Sequence, residues 1–154
     1  MAVIKEGGKA PAFKGIDQDG NTVALKDFLG KKVVLYFYPK DDTPGCTAQA
    51  CNLRDNYTAL IEKGFQVIGV SVDSVKSHKK FENKYHLPFP LIADEEKEIV
   101  NKYQVWGEKK FMGRTFMGVI RTTFLVDEAG RVHKIIHKPD TQNHTEQVLE
   151  AWAA

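Results

Sequence analysis

Three short apolar runs predict three strands that are buried on both faces. They are residues 33–38 (VVLYFY), 65–72 (FQVIGVSV) and 122–127 (TTFLVD), and all are rich in β-branched or aromatic residues. A half-exposed strand alternates apolar and polar residues, whereas continuous apolar runs are typical of a sheet with helices on both sides. We expect a further short element near residues 90–93.

Apolar positions at helical spacing predict helices between these strands. Leu53, Tyr57, Leu60 and Ile61 recur at i, i+4, i+7 and i+8, which places them on one face of a helix that ends before Gly64. Three more helices are marked by smaller apolar groups: Phe81 with Tyr85; Ile99, Val100 and Tyr103 after the acidic segment DEEKE; and Val148, Leu149 and Trp152.

Two turn motifs predict β-hairpins. DQDG (residues 17–20) separates residues 13–16 from residues 22–25, and DEAG (residues 127–130) separates the third strand from RVHKII. The complete order describes an α/β fold in three layers, with a central mixed β-sheet flanked by helices and an N-terminal β-hairpin. Because no repeat or linker interrupts it, we expect residues 1–154 to form a single domain.

Composition and charge exclude several classes of protein. The chain is 42% hydrophobic and 27% charged, as in a folded globular protein, and its net charge of +2 is too small to indicate binding to nucleic acid or a membrane surface. The N-terminal segment MAVIKEGGKAPAF lacks an apolar stretch of signal-peptide length. We therefore expect no nucleic-acid or membrane partner and a cytoplasmic location, where thiols are kept reduced.

Both cysteines of the chain lie in the segment PKDDTPGCTAQAC, directly after the most apolar strand. The Thr43-Pro44 pair predicts a helix start, with Thr43 as the N-cap and a helix that continues to about Lys63. Cys46 then lies in the first turn of this helix. Backbone amides without intrahelical acceptors and the positive end of the helix dipole both favour a thiolate there.

The helix terminus alone is not enough to make the thiolate the main form of Cys46. An ordinary cysteine, with a pKa near 8.5, is only a few per cent thiolate at neutral pH. A shift of about two pKa units requires about 2.7 kcal/mol, whereas a helix terminus supplies about 0.3–1 kcal/mol, and up to about 2 when partly buried. We therefore expect a cation beside Cys46.

The spacing of Cys46 and Cys51 predicts a switch rather than a fixed disulfide. In an unbroken helix, Cα atoms at i and i+5 lie about 8.6 Å apart, whereas a disulfide needs about 4.4–6.8 Å. The two sulfurs can bond only if the first turns of the helix unwind. Two other interpretations are that the cysteines are unrelated buried residues, or that they bind zinc, for which the ligand set is too small.

These residues resemble the peroxiredoxin family. Pro39, Thr43 and Cys46 reproduce its P-x-x-x-T-x-x-C signature. Cys51 and the segment YQVWGEKKFMGRTFMGVIRTTFLVDEAG are similar to the bacterioferritin-comigratory, or Q-type, subgroup. The resemblance covers nearly the whole chain. It implies a thioredoxin-like fold and a thiol-dependent peroxidase that reduces hydrogen peroxide and organic hydroperoxides to water and alcohols, without a metal or another cofactor.

The resemblance also implies a role for five residues. Cys46 matches the peroxidatic cysteine, which becomes a sulfenic acid, and Cys51 matches the resolving cysteine, which converts it into an intramolecular disulfide. Thioredoxin or a similar dithiol would then reduce that disulfide. Thr43 matches the residue that orients the peroxide, Arg121 the one that stabilises the thiolate and the transition state, and Pro39 the one that shields the reacting cysteine from water.

Two other functions compete with this interpretation. The first is a general thiol–disulfide oxidoreductase on the same fold. The second is a non-enzymatic redox sensor that reports oxidation by unwinding its helix. With only two cysteines, both near the start of one helix, the resemblance favours a monomer.

Overall fold

A computed structural model describes residues 3–154 and contains nine strands in that range. Their bounds are Lys14–Ile16 (β1), Thr22–Ala24 (β2), Lys32–Phe37 (β3), Phe65–Ser71 (β4), Leu91–Ala93 (β5), Trp106–Phe111 (β6), Arg114–Val119 (β7), Thr122–Val126 (β8) and Val132–Ile136 (β9). Five of them form the main sheet in the order β5-β4-β3-β8-β9. In it, β4 is parallel to β3 and β5, and β8 is antiparallel to β3 and β9. The predicted mixed sheet is therefore confirmed.

Within residues 3–154, five α-helices surround this sheet, together with a short 3₁₀ helix at Leu25–Phe28. Their bounds are Pro44–Asp55 (α1), Tyr57–Glu62 (α2), Val75–Tyr85 (α3), Glu98–Lys102 (α4) and His144–Ala153 (α5). None of the helices within residues 3–154 has both the length and the apolar character needed to cross a membrane.

The central strand β3 divides the core into two parts. Val34 and Tyr36 pack with apolar residues of α1, α2, α3 and α5, whereas Val33 and Leu35 pack with the β1–β2 hairpin and α4. Because successive side chains of a strand point to opposite faces, both sets are buried, and the run VVLYFY has no polar position. This arrangement confirms the predicted three layers.

The structure also confirms the predicted strand positions. Strands β3, β4 and β8 begin and end within one residue of the three apolar runs. The predicted N-terminal hairpin pairs β1 with β2, and the predicted short element near residues 90–93 is β5. Apolar runs and turn residues are strong signals because each reports burial or backbone geometry locally.

The helix predicted from Pro44 to about Lys63 is interrupted at Asn56, so this prediction was wrong. Asn56 Nδ2 donates to the Asn52 carbonyl oxygen at 2.8 Å. Asparagine side chains that bond to the backbone in this way compete with helical hydrogen bonds. The predicted apolar face continues past the interruption for Leu53, Tyr57 and Leu60, which pack in one cluster. Ile61 does not share this face, since it is 45% exposed.

The β6–β7 hairpin was not predicted. Its strands are mostly exposed and lie outside the main sheet, so they lack the alternation of apolar and polar residues that marks a half-buried strand. Its turn, Met112-Gly113, has positive φ angles of 51° and 77°, as in a two-residue type I′ turn. The hairpin matters because β7 ends two residues before Arg121.

Candidate active site

Two segments that are far apart in the chain meet at the ends of β3 and β8, two neighbouring inner strands of the main sheet. Strand β3 pairs with β8 in antiparallel register, with Phe37 opposite Thr122. The carboxyl end of β3 therefore lies beside the amino end of β8. The chain leaves β3 through residues 38–43 into α1, and it enters β8 through Arg121. This topology brings the start of α1 and Arg121 to the same place.

Arg121 contacts the buried sulfur of Cys46 directly. Arg121 Nη2 lies 3.3 Å from Cys46 Sγ, and Nη1 donates to Gln49 Oε1 at 2.8 Å. Cys46 is 1% exposed and belongs to the apolar cluster that contains Tyr36 and Leu53. Hydrogen bonds to ionised groups are strong, and low-polarity surroundings strengthen them further. A thiolate at this position therefore has both the helix terminus and a guanidinium beside it.

Gln49 holds the guanidinium in place and Gly45 leaves room for it, and neither residue was predicted from the sequence to belong to the site. Gln49 lies three residues after Cys46, so both face the same side of α1 and one guanidinium can reach both. A Cβ atom at Gly45 would lie 3.2 Å from Arg121 Nη2, which is closer than most Cβ contacts. The helical spacing could have revealed Gln49, whereas the contact at Gly45 needs the three-dimensional structure.

A second cation lies near the same site. Lys109, on β6, is half-buried, and its Nζ donates to the Val119 carbonyl oxygen at 2.9 Å. Burial lowers the pKa of Lys109, and the positive charge of Arg121 lowers it further, while a negative charge on Cys46 acts in the opposite direction. The β6–β7 hairpin therefore adds a cation to this end of α1.

Thr43 occupies the N-cap position, but its hydroxyl does not cap the helix. Its backbone is extended, with φ −98° and ψ 156°, and Oγ1 donates to the Lys40 carbonyl oxygen at 2.8 Å. The expected capping bond is therefore wrong. Because the hydroxyl proton is used in this bond, the lone pairs of Oγ1 remain available to accept a hydrogen bond from a ligand.

Pro39 precedes this arrangement in the chain, and Cys51 follows it. Pro39 is half-buried and opens the loop that leads from β3 to Thr43. Cys51 is half-buried on α1, and both cysteines are free thiols. Because α1 is continuous from Pro44 to Asp55, the separation of about 8.6 Å between the two Cα atoms applies. Burial raises the pKa of Cys51, against the lowering effect of the Arg54 charge.

The chain is similar in sequence to the proteins of one family. Residues 7–135 match the AhpC/TSA family. Peroxiredoxin Bcp of Escherichia coli strain K12 is 44% identical over 149 residues, covering 97% of this chain and 96% of the relative. Peroxiredoxin Bcp of Bacillus subtilis strain 168 is 44% identical over 147 residues, covering 96% and 94%.

A solved structure has the same fold. The bacterioferritin comigratory protein of Xanthomonas campestris, whose structural description concerns alkyl peroxide reduction activity, superposes with a TM-score of 0.88 and 31% sequence identity. The match covers 97% of this chain and 98% of that one.

Proposed function

The chain belongs to the AhpC/TSA family and is a peroxiredoxin, and we propose that Cys46 is the residue at which it reduces peroxides. The protein is a thiol-dependent peroxidase with a thioredoxin-like fold, and recycling by thioredoxin is the general mechanism of its family. The contact of 3.3 Å between Arg121 Nη2 and Cys46 Sγ is the observation that carries the assignment to Cys46.

In the first step, the Cys46 thiolate attacks the terminal oxygen of the peroxide. A sulfur–oxygen bond forms and the oxygen–oxygen bond breaks. Cys46 becomes a sulfenic acid, and the other oxygen leaves as water or an alcohol after it takes up a proton. Arg121 stabilises the thiolate before the attack and the negative charge that moves onto the peroxide oxygens during it.

Thr43 acts on the peroxide, whereas Pro39 shields the reacting cysteine from water. The Thr43 hydroxyl donates to Lys40, so its oxygen accepts a hydrogen bond from the O–H group of the peroxide and orients it for attack. Pro39, which has no N–H donor, covers the site at the end of β3 and limits the access of water.

In the second step, Cys51 resolves the sulfenic acid. The Cys51 sulfur attacks the Cys46 sulfur, a disulfide forms and the sulfenic oxygen leaves as water. The helical separation of the two residues indicates that α1 must unwind before this reaction. An external dithiol such as thioredoxin then reduces the disulfide and α1 re-forms.

The substrates are hydrogen peroxide and organic hydroperoxides, with the alkyl peroxide reduction of the Xanthomonas relative as support for the second class. The sulfurs of Cys46 and Cys51, which react in one catalytic cycle, lie on one helix. We therefore propose that the chain works as a monomer and as a single domain. We further propose that it works in the cytoplasm, where thioredoxin is present and thiols are kept reduced.

The decisive experiment measures the mass of the protein after one equivalent of hydrogen peroxide. Wild-type protein should lose two hydrogens as the disulfide forms, and Cys51→Ser should gain one oxygen as a sulfenic acid. Cys46→Ser should do neither. If Cys46→Ser still consumes peroxide, the assignment to Cys46 is wrong.

Turnover with a reductant separates this function from the two alternatives. A peroxidase oxidises thioredoxin in proportion to the peroxide added. A general oxidoreductase would instead reduce insulin disulfides without consuming peroxide. A redox sensor would react once with peroxide and show no repeated turnover with thioredoxin.

A further inference from the structure

A buried carboxylate lies inside the loop that we assign to peroxide binding, residues 39–43, here called the peroxide loop. Asp41 is buried, and its carboxylate accepts three hydrogen bonds. Tyr38 Oη donates at 2.6 Å, Ser77 Oγ at 2.7 Å, and His78 Nδ1 lies 2.6 Å away. Since a buried charge is costly unless it is paired, this set of partners is needed to keep Asp41 inside the protein.

The contacts of His78 show that the pair holds a proton. His78 Nε2 lies 2.9 Å from the Ile92 carbonyl oxygen, which can only accept, so Nε2 carries a hydrogen. Nδ1 faces an Asp41 oxygen, and two bare acceptors would repel each other at 2.6 Å. A proton therefore lies between them.

The same cluster fixes the carbonyl that holds Thr43. The backbone N–H of Asp41 donates to Asp73 Oδ2 at 2.9 Å, and the Lys40 carbonyl belongs to the same peptide unit. Because a peptide unit is planar, holding its N–H also sets the direction of its carbonyl oxygen. That oxygen accepts the Thr43 hydroxyl at 2.8 Å. The orientation of Thr43 therefore depends on Asp41 staying in place.

Helix α3 holds the next residue of the loop as well. Asp42 has a positive φ of 57°, a conformation that non-glycine residues adopt only when their surroundings maintain it. Its carboxylate accepts from Lys84 Nζ at 2.8 Å and from Tyr85 Oη at 2.7 Å. Two adjacent loop residues are thus attached to one helix, at its first and last turns.

We propose that Asp41 and His78 are positioning residues that hold the peroxide loop in the conformation in which Thr43 orients the substrate. This inference rests on the proposed role of Thr43. It gives a role to Asp41, at an unspecified position of the P-x-x-x-T-x-x-C signature, and to His78, which lies outside the signature. His78 and Ser77 both lie on α3 and both bond to the Asp41 carboxylate, so the bond from His78 Nδ1 attaches the loop to that helix.

This role predicts a selective loss of reaction with peroxide. The reactivity of Cys46 as a thiolate depends on Arg121 and the start of α1, whereas orientation of the peroxide depends on the loop. A displaced loop should slow attack on hydrogen peroxide while leaving alkylation of Cys46 by iodoacetamide nearly unchanged, because iodoacetamide needs no contact with Thr43. Damage to the fold would slow both reactions.

The test compares two substitutions of one residue in a Cys51→Ser background. In His78→Gln, the amide replaces Nε2 and keeps the bond to Ile92, but it loses Asp41. In His78→Asn, the amide replaces Nδ1 and keeps the bond to Asp41. His86→Asn is the matched control, because His86 is exposed at the end of α3. Stopped-flow rates with hydrogen peroxide are divided by alkylation rates with iodoacetamide.

We expect His78→Gln to lower this ratio at least tenfold, and His78→Asn and His86→Asn to stay within about threefold of the parent. An unchanged ratio in His78→Gln, or an equal loss in His78→Asn, would overturn the proposal. If His78→Gln does not fold by circular dichroism, Ser77→Ala removes a single donor from Asp41, and its ratio must fall by more than the threefold range allowed to the two control variants. A parent protein without any peroxide reaction would instead refute the proposed function.

Discussion

Arg121 Nη2 lies 3.3 Å from Cys46 Sγ, although 74 residues separate the two positions in the chain. The pairing of β3 with β8 brings them together, and the bond from Arg121 Nη1 to Gln49 keeps the guanidinium plane fixed. In the function that we propose, the helix terminus and this guanidinium together stabilise the Cys46 thiolate.

Replacing Arg121 should slow the attack on peroxide. A hydrogen bond to a charged group contributes about 1.5–3 kcal/mol, so Arg121→Ala should lower the second-order rate with hydrogen peroxide about tenfold to a hundredfold. Arg121→Lys should recover little, because one ammonium cannot reproduce the planar fork that reaches both Cys46 and Gln49.

Replacing Arg121 should also change the pH dependence of Cys46 alkylation. The pH midpoint for alkylation of Cys46 by iodoacetamide should move upward in Arg121→Ala, since the thiolate loses a cation. Arg114→Ala, on the exposed part of β7, serves as the control. An alkylation midpoint that stays in place would show that Arg121 does not stabilise the thiolate.

Gly45→Ala should separate stability from activity. Alanine is better than glycine inside a helix by about 0.8–1 kcal/mol, so thermal stability should be unchanged or slightly higher. The added Cβ would lie 3.2 Å from Arg121 Nη2, and the guanidinium must move to relieve the contact. We expect the peroxide rate to fall about threefold to tenfold. An alanine variant with full peroxidase activity would show that Arg121 adjusts without loss.

His144 should make the protein sensitive to acid. Burial lowers the pKa of His144 to about 4, the Arg121 charge acts in the same direction, and a hydrogen bond to Gln147 opposes them. Below the pKa of about 6.5 in the unfolded chain, the unfolded state binds the proton more readily, so the free energy of unfolding falls as the pH falls towards 4. The resulting loss of unfolding free energy is on the order of 3 kcal/mol.

Denaturant unfolding between pH 7 and pH 4.5 checks this prediction for His144. His144→Asn keeps a donor towards Gln147 and removes the titrating ring, so its unfolding free energy should depend less on pH than that of the wild type. His137→Asn changes an exposed histidine and should follow the wild type. Parallel curves for wild type and His144→Asn would contradict the prediction.

The sequence predicted those features that depend on local signals. Residues 33–38 are apolar throughout because β3 is covered on both faces, and the Thr43-Pro44 pair marks the start of α1 because proline lacks the N–H that a first turn leaves unused. The same signals predict Cys46 in the first turn of α1, where the structure places it.

The contacts that complete the site depend on tertiary structure. The Thr43 hydroxyl bonds to Lys40 instead of capping α1, because the loop turns its carbonyl towards it. The buried pair of Asp41 and His78 joins residues 37 positions apart, and neither has a local signal. Asn56 stops α1 through a side-chain bond that helix periodicity does not describe.

Asn52 should control how easily α1 unwinds for disulfide formation. It follows Cys51 directly, and its side chain joins α1 to the start of α5: Nδ2 donates to the Gln142 carbonyl oxygen at 3.0 Å, and Oδ1 accepts from Thr145 N at 2.8 Å. Asn143, the N-cap residue of α5, makes no side-chain capping bond, so Asn52 supplies that cap from another helix. Both bonds oppose unwinding around Cys51.

Asn52→Ala should therefore speed resolution without changing the attack on peroxide. The two Asn52 bonds stabilise the intact α1 by about 1–2 kcal/mol. Their loss should raise the population of the unwound form about fivefold to thirtyfold. In quenched-flow mass spectrometry, sulfenic acid at Cys46 should convert to the disulfide faster, and less of it should be overoxidised to sulfinic acid at high peroxide. Asn83→Ala, at an exposed position of α3, should behave like the wild type. Slower disulfide formation in Asn52→Ala would contradict this prediction. It would mean that the bonds to α5 help Cys51 to reach Cys46.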